Sequence, residues 1–342
     1  MARTALLAVG LPLLLLLLPG VLAAQPFVLP TPNQAVLEAG GEERYFVGTV
    51  GKPWRSGTFG CVRTDGRQMH EGLDIRATRR DARGEPLDPI RATAAGTVAY
   101  VSRRPSLSNY GNYLVLRHVI EGVEIHSLYA HLSKIRADLA PGVAVRAGEE
   151  IATMGRTSNT RERISTERAH LHFELNLVLS DRFIPWYQKT FPGQRNDHGS
   201  WNGQNLSGLD PWRVFQAQQQ AGARFSLVDF IRRQDELCRV FVRAPQLAWA
   251  RRFPMLVKPN PAAQKEGIAG YELALNFNGL PFEVIPRAAS EVKASAKSKY
   301  VLLSVQAEEQ QECPCRRLVT RDKSGRWQLA DAGLHLLGLL SH

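Results

Sequence analysis

Short apolar runs rich in β-branched and aromatic residues, interrupted by glycine, dominate the chain from residue 43 to about residue 180. The clearest are Gly96-Thr97-Val98-Ala99-Tyr100-Val101, Tyr113-Leu114-Val115-Leu116-Arg117-His118, Val123 to Tyr129 and Ala169-His170-Leu171-His172-Phe173-Glu174-Leu175. Such runs at this spacing predict a mainly β domain with antiparallel strands. Residues 184–210 carry prolines, glycines and asparagines with few periodic apolar positions and read as a lid or linker.

Beyond that point the period changes. Leu209-Asp210-Pro211-Trp212 opens a helical pattern through Gln220, and Leu227 to Val242 also has helical periodicity. Strand patterns return at Tyr271 to Phe277 and Phe282 to Ile285, joined by Asn278-Gly279, a strong hairpin turn signal, and at Tyr300 to Val305. The expected organisation is a lead-in over 25–42, a β domain over 43–205 and a smaller α+β or β-rich domain over 206–342. At 342 residues the chain has ample length for two cores.

The amino terminus changes the picture of where this chain works. Arg3 precedes an apolar run from Ala5 to Leu18, then Pro19-Gly20 and small residues ending at Ala24. The run is short for a membrane span, so residues 1–24 are expected to be a cleaved secretory signal and the protein periplasmic or extracellular. Gln25, rather than a cysteine, follows the expected cleavage point, so no stable membrane anchor is expected. A formal charge of +11 favours an anionic cell-wall polymer as a partner. Export and the lack of an aromatic-basic binding motif argue against nucleic acid.

Four cysteines, Cys61, Cys238, Cys313 and Cys315, suit an oxidising compartment. Cys313 and Cys315 are one residue apart and would close a strained ring. The expected bridge therefore joins Cys238 to one of them.

Candidate chemistry lies in two histidine motifs. His70 and Asp74 lie four apart, on one face of an extended segment, and Gly72 between them permits close backbone approach. His170 and His172 lie two apart in an apolar strand and share a face, with Leu171 and Phe173 opposite. Two histidines and one aspartate would leave a fourth tetrahedral position open, the pattern of a catalytic zinc site rather than a structural one. Spacing alone leaves open which strand histidine is the ligand. His118 and His126 read as structural or packing residues, His198 as a solvated loop residue, and His335 and His342 as exposed.

From about Tyr45 to Leu175 the sequence resembles the lysostaphin/LytM-type zinc metallo-endopeptidases that cut peptide bridges in bacterial peptidoglycan. The resemblance rests on Phe59-Gly60, His70-x-Gly72-x-Asp74-Ile75, Gly96-Thr97-Val98, Asn109 to His118, Tyr129-Ala130-His131-Leu132-Ser133, Val145 to Gly155 and His170-Leu171-His172-Phe173-Glu174, in that order. It implies an antiparallel, duplicated-hybrid-motif-like metallopeptidase domain. It further implies Zn²⁺ held by His70, Asp74 and His172, catalytic histidines at His131 and His170, and peptidoglycan peptides as substrate. The second domain is untouched by it. One departure stands out: where relatives carry a short turn ending in Thr-Gly-Pro, this chain has the longer, charged segment Arg156 to Ala169. A non-catalytic wall-binding or regulatory protein on the same fold is the competing reading, and retention of all five residues weighs against it.

Overall fold

In the strand His170–Val178, Leu171, Phe173, Leu175 and Leu177 alternate with His170, His172, Glu174 and Asn176. The leucines and Phe173 enter the main core cluster, while the polar set faces the other side of the sheet. The strand is buried along its whole length. This computed structural model describes residues 25–161, 163–292 and 298–342, and the signal segment read over 1–24 lies outside them.

The first part of the chain contributes twelve strands: β1 (Gly60–Arg63), β2 (Gln68–His70), β3 (Leu73–Arg76), β4 (Pro89–Arg91), β5 (Gly96–Ser102), β6 (Tyr113–Ile120), β7 (Val123–Ala130), β8 (Lys134–Ile135), β9 (Ala144–Val145), β10 (Glu150–Thr153), β11 (His170–Val178) and β12 (Leu206–Leu209). The main antiparallel sheet runs β12-β11-β7-β6-β5-β9. One edge of β11 pairs with β7, and the other is shared end to end. There β3 covers His170 to Phe173 and β12 covers Leu175 to Val178. On the face opposite the main core, Tyr113, Val115, Leu128, Ala130, Val178 and Leu206 form a smaller cluster.

Four further strands, β13 (Cys238–Val242), β14 (Gly270–Leu275), β15 (Pro281–Arg287) and β16 (Tyr300–Val305), form a second antiparallel sheet ordered β15-β14-β13-β16. The β14–β15 hairpin turns at Asn278-Gly279, where Gly279 has φ +84°, a left-handed conformation suited to glycine. A small hairpin, β17 (Val319–Arg321) with β18 (Trp327–Leu329), precedes the helix Asp331–Leu340. The helix Pro211–Ala221 begins as its sequence predicts, with Pro211 at its first turn and Asp210 accepting from the Trp212 and Arg213 amides. Among the described residues no helix is long and apolar enough to cross a membrane.

Several expectations need correction. The segment 184–210 is not a bare linker: it contains most of the helix Phe183–Thr190 and the whole of β12. Because β12 completes the edge of β11, a domain boundary at 205/206 would cut the main sheet, and Leu206–Leu209 belongs to the first unit. The helical reading of Leu227 to Val242 holds only to Arg232; Cys238–Val242 is instead the strand between β14 and β16, where neighbours on both sides satisfy its backbone groups. The lead-in over 25–42 is stitched to the rest of the fold. The Phe27 amide donates to Gln218 Oε1 at 2.9 Å, Gln218 Nε2 donates to the Phe27 carbonyl at 2.7 Å, and the Val28 amide donates to the Thr93 carbonyl at 2.7 Å.

The expected Cys238 bridge is also overturned. Cys61 on β1 is bonded to Cys315, with their Cα atoms 5.4 Å apart, whereas Cys238 and Cys313 are free. Cys238 points into the core from β13, out of reach of a surface partner. The bridge closes a loop of 254 residues and ties the C-terminal segment to the first strand. Non-reducing peptide mapping should recover Cys61 joined to Cys315, with Cys238 and Cys313 as thiols. Replacing both bridged cysteines by serine should lower the unfolding free energy by about 2–4 kcal/mol; unchanged chemical-denaturation curves would contradict the role given to this link.

Candidate metal centre

Three strands converge on one point. The β3–β11 register places Asp74 directly opposite His172, and β2 ends at His70, with two residues between it and the start of β3. The link passes against β11 at Gly72, where a Cβ would meet the Phe173 carbonyl oxygen at 2.2 Å. Any side chain there would force the two strands apart. His70 and Asp74 are thus carried on two strands joined by a tight link, not on one continuous extended segment.

The donor atoms form a triangle with equal sides. His70 Nε2 lies 3.1 Å from Asp74 Oδ1, His172 Nδ1 lies 3.1 Å from the same oxygen, and the two nitrogens are 3.1 Å apart. A tetrahedral zinc ion with bonds of about 2.0–2.1 Å separates its donors by about 3.3 Å, close to this triangle. His70, Asp74 and His172 are the metal-capable cluster found among the described residues.

The outer hydrogen bonds prepare the histidines for a cation. His70 donates from Nδ1 to the Thr58 carbonyl at 2.7 Å, so Nε2 is left with its lone pair. His172 donates from Nε2 to Glu174 Oε1 at 2.8 Å, which frees Nδ1 in the same way. Glu174 is itself held by Tyr110 Oη at 2.7 Å and Asn176 Nδ2 at 2.7 Å. Arg63 Nη2 grips Asp74 Oδ2 at 2.6 Å and leaves Oδ1 facing the triangle. Two imidazole lone pairs and a carboxylate oxygen aimed at one point repel each other unless a positive charge sits between them, so the donor set fits a metal ion.

The electrostatics agree. Burial raises the pKa of Asp74, but the imidazoles of His170 and His70 outweigh it and hold the carboxyl well below the usual range. Burial lowers His70. His172 moves the other way: against burial, its hydrogen bonds to the Asp74 and Glu174 carboxylates raise its pKa to about 10. The pocket therefore attracts positive charge at His172 Nδ1, whether proton or metal.

His131 and His170 stand beside the triangle. Their ring centroids are 4.9 Å apart, and His131 lies 5.8 Å from His172. His170 Nε2 is 3.4 Å from Asp74 Oδ1, outside the close triangle, and its Nδ1 donates to the Arg168 carbonyl at 2.5 Å. His131 follows the end of β7 with φ +61°, a left-handed conformation unusual for a histidine. Its amide donates to the Tyr110 carbonyl at 2.9 Å and its Nδ1 to the Thr157 carbonyl at 2.9 Å, which hold it there. Burial, then the neighbouring His170 and His172 imidazoles, keep its pKa well below the ordinary value, so His131 is neutral.

All five predicted site residues line one cleft of about 990 Å³. The other histidines do not line it. His118 donates to the Ala95 carbonyl and meets Ser127 Oγ, a structural role, and His126 packs on Trp201. His198, read as solvated, is buried against Tyr100 and Tyr113. Glu174 and Arg63 were not singled out as site residues in the sequence. For Glu174 the signal was available, since it sits two residues past His172 on the same face. The two ends of the charged loop after Arg156 are tied to the segment 80–85. Arg156 pairs with Glu85 at 2.7 Å, and Arg80 donates to the Thr166 carbonyl at 2.6 Å and the Glu167 carbonyl at 3.1 Å.

The β scaffold thus gathers two histidines and an aspartate that could hold a metal ion, with two more histidines alongside. Residues 68–182 match Peptidase family M23. The chain is 34% identical over 95 residues to lipoprotein NlpD of Yersinia enterocolitica, covering 28% of this chain and 84% of that protein. It is 33% identical over 106 residues to the uncharacterized lipoprotein YgeR of Escherichia coli (strain K12), covering 31% of this chain and 34% of the relative. It thus spans about a third of that relative's length. A zinc-containing peptidase from Vibrio cholerae is similar at 33% identity, covering 31% of this chain and 26% of that one, with a TM-score of 0.23. The protein belongs to peptidase family M23.

The outer hydrogen bonds make a test possible without any substrate. Glu174→Gln should weaken zinc binding about 10–100-fold by removing the carboxylate that orients His172, while Asp74→Ala should abolish stoichiometric binding. Competition titration with a zinc chelator reads both; an unchanged affinity in Glu174→Gln would remove Glu174 from the site.

Proposed function

We propose that this protein is an exported zinc-dependent endopeptidase that hydrolyses peptide cross-links of bacterial peptidoglycan. The observation that carries the reading is the 3.1 Å triangle of His70, Asp74 and His172 with His131 and His170 beside it in one cleft. Zinc held there supplies Lewis acidity, polarising a peptide carbonyl and making water acidic enough to react near neutral pH. His131 and His170 complete the chemistry. One imidazole accepts the proton of the attacking water, and the other donates a hydrogen bond to the oxyanion that develops on the carbonyl. The neutrality of His131 suits the first task, because Nε2 can accept a proton while Nδ1 goes on donating to the Thr157 carbonyl.

Placement in the cell envelope is supported by the signal-like first residues and by the two lipoprotein relatives. The net charge of +11 would favour encounter with an anionic wall polymer. A non-catalytic wall-binding role is the competing reading, and the presence of both histidines beside an intact triangle favours turnover.

Purified protein should bind about one zinc per chain, the number one triangle can hold, and release peptides from isolated peptidoglycan; chelation should stop that release without unfolding the sheet. His131→Ala and His170→Ala should retain zinc and lose activity by about 10²–10⁴-fold, whereas His172→Ala should lose both. Mass analysis of the released fragments identifies the bond cut. Stoichiometric zinc with no release from any wall type would leave the non-catalytic reading standing.

A further inference from the structure

The cleft contains a cation for which the hydrolytic chemistry has no use. Arg316 comes from the far end of the chain, yet it lines the same cleft as the five site residues. Its placement is set from both sides. Cys315, immediately before it, is bonded to Cys61 on β1, and its amide lies 3.2 Å from Cys61 Sγ. Cys315 Sγ also lies 3.9 Å from the sulfur of Met69, the neighbour of His70. Immediately after it, Arg317 is held at φ +50°, and Leu318 and Val319 are buried in the core. A non-glycine residue in the left-handed region persists only where its surroundings impose it.

The Arg316 side chain is half-buried but unpartnered. Among the described residues it makes no hydrogen bond or ion pair, and it feels the Glu71 carboxylate and the Tyr110 hydroxyl only at longer range. The other cations of the cleft are occupied: Lys52 pairs with Asp65 at 2.9 Å, Arg63 with Asp74 at 2.6 Å, Arg168 donates to the Gly48 carbonyl at 3.0 Å, and Arg55 lies over the Trp54 ring. A guanidinium removed from water without a partner is costly unless a ligand provides one. The cleft also carries Asp65, Glu71 and Asp74, so a planar monoanion suits it better than a doubly charged phosphate.

We propose that Arg316 binds a carboxylate of the peptide substrate beside the scissile bond, so that the enzyme selects peptides with a free carboxyl group over their amidated forms. The inference rests on the peptidase reading and adds its specificity-determining residue. The first unit carries the metal and the two histidines, and the C-terminal segment, through the Cys61–Cys315 bond, carries the recognition group to the cleft.

The test compares cross-linked peptide dimers purified from peptidoglycan with the same dimers after their carboxyl groups are converted to carboxamides. The wild type should favour the carboxylate form by about 10-fold or more in kcat/KM, chiefly through KM, the range expected for a hydrogen-bonded charge pair. Arg316→Gln should bring that ratio close to unity, and Arg316→Lys, which keeps the charge but not the fork, should retain part of it. A parallel measurement uses fluorescein-labelled dimers and zinc-loaded His131→Ala protein, so that affinity is read without turnover. Loss of carboxylate preference in the Arg316→Gln version of that protein, with zinc content intact, supports the assignment even if no dimer is hydrolysed. An absent preference in the wild type, or one that survives Arg316→Gln in both measurements, overturns it.

Discussion

The antiparallel pairing of β3 with β11 is the constraint on which the rest of the site depends. It sets Asp74 opposite His172, and a slip by one residue would move every polar side chain of β11 into the leucine core. The register is protected from both faces. Leu171, Phe173, Leu175 and Leu177 fix the apolar face, and Gly72 lets the β2–β3 link pass so close to Phe173 that no other residue fits. The geometry of the donor triangle is therefore a by-product of how the sheet is packed. It does not depend on flexible loops finding one another.

Electrostatics then work on a scaffold already in place. Each of the four histidines around the cleft gives one ring nitrogen to a fixed acceptor, namely the carbonyls of Thr58, Thr157 and Arg168 or the carboxylate of Glu174. These bonds set the tautomers and aim the remaining nitrogens inward. The two pairs nevertheless have different surroundings. His172 lies between two carboxylates and attracts positive charge, whereas His131, with imidazoles for neighbours and a buried ring, resists it. A metal and a neutral proton acceptor can thus stand within a few ångströms of each other in one cavity.

Much of this was legible in the sequence because it is written at short range. The alternation in His170 to Leu175, the Asn278-Gly279 turn and the Asp210-Pro211 helix start are local signals, and the structure shows a strand, a hairpin and a helix at those places. What was not legible depends on distant partners. Cys238–Val242 has a pattern compatible with helix, and only its position between β14 and β16 makes it a strand. Leu206–Leu209 is short and follows a glycine-rich stretch, so it shows itself as a strand only through the open half of β11's edge. The Cys61–Cys315 bond spans 254 residues, a distance at which sequence proximity is no guide.

Those same distant partners show that the C-terminal part is built into the peptidase unit. Apolar side chains from one face of the main sheet and from the second sheet belong to one continuous cluster. Asn278 Nδ2 donates to the Gly208 carbonyl at 3.0 Å, Arg252 to the Val178 carbonyl at 2.9 Å, and Phe59 packs edge-on against Phe277. Gly208 is in β12 and Val178 ends β11, so the β14–β15 turn and the helix Ala248–Arg252 brace the strand that carries His170 and His172 at its other end. Cutting the chain at residue 205 would remove β12 and leave half an edge of β11 unpaired, in addition to taking away the disulfide anchor on β1. The candidate metal centre and the C-terminal segment are therefore best understood as one structure, in which residues after 205 hold the strand that positions the histidines and also bring Arg316 to the cleft.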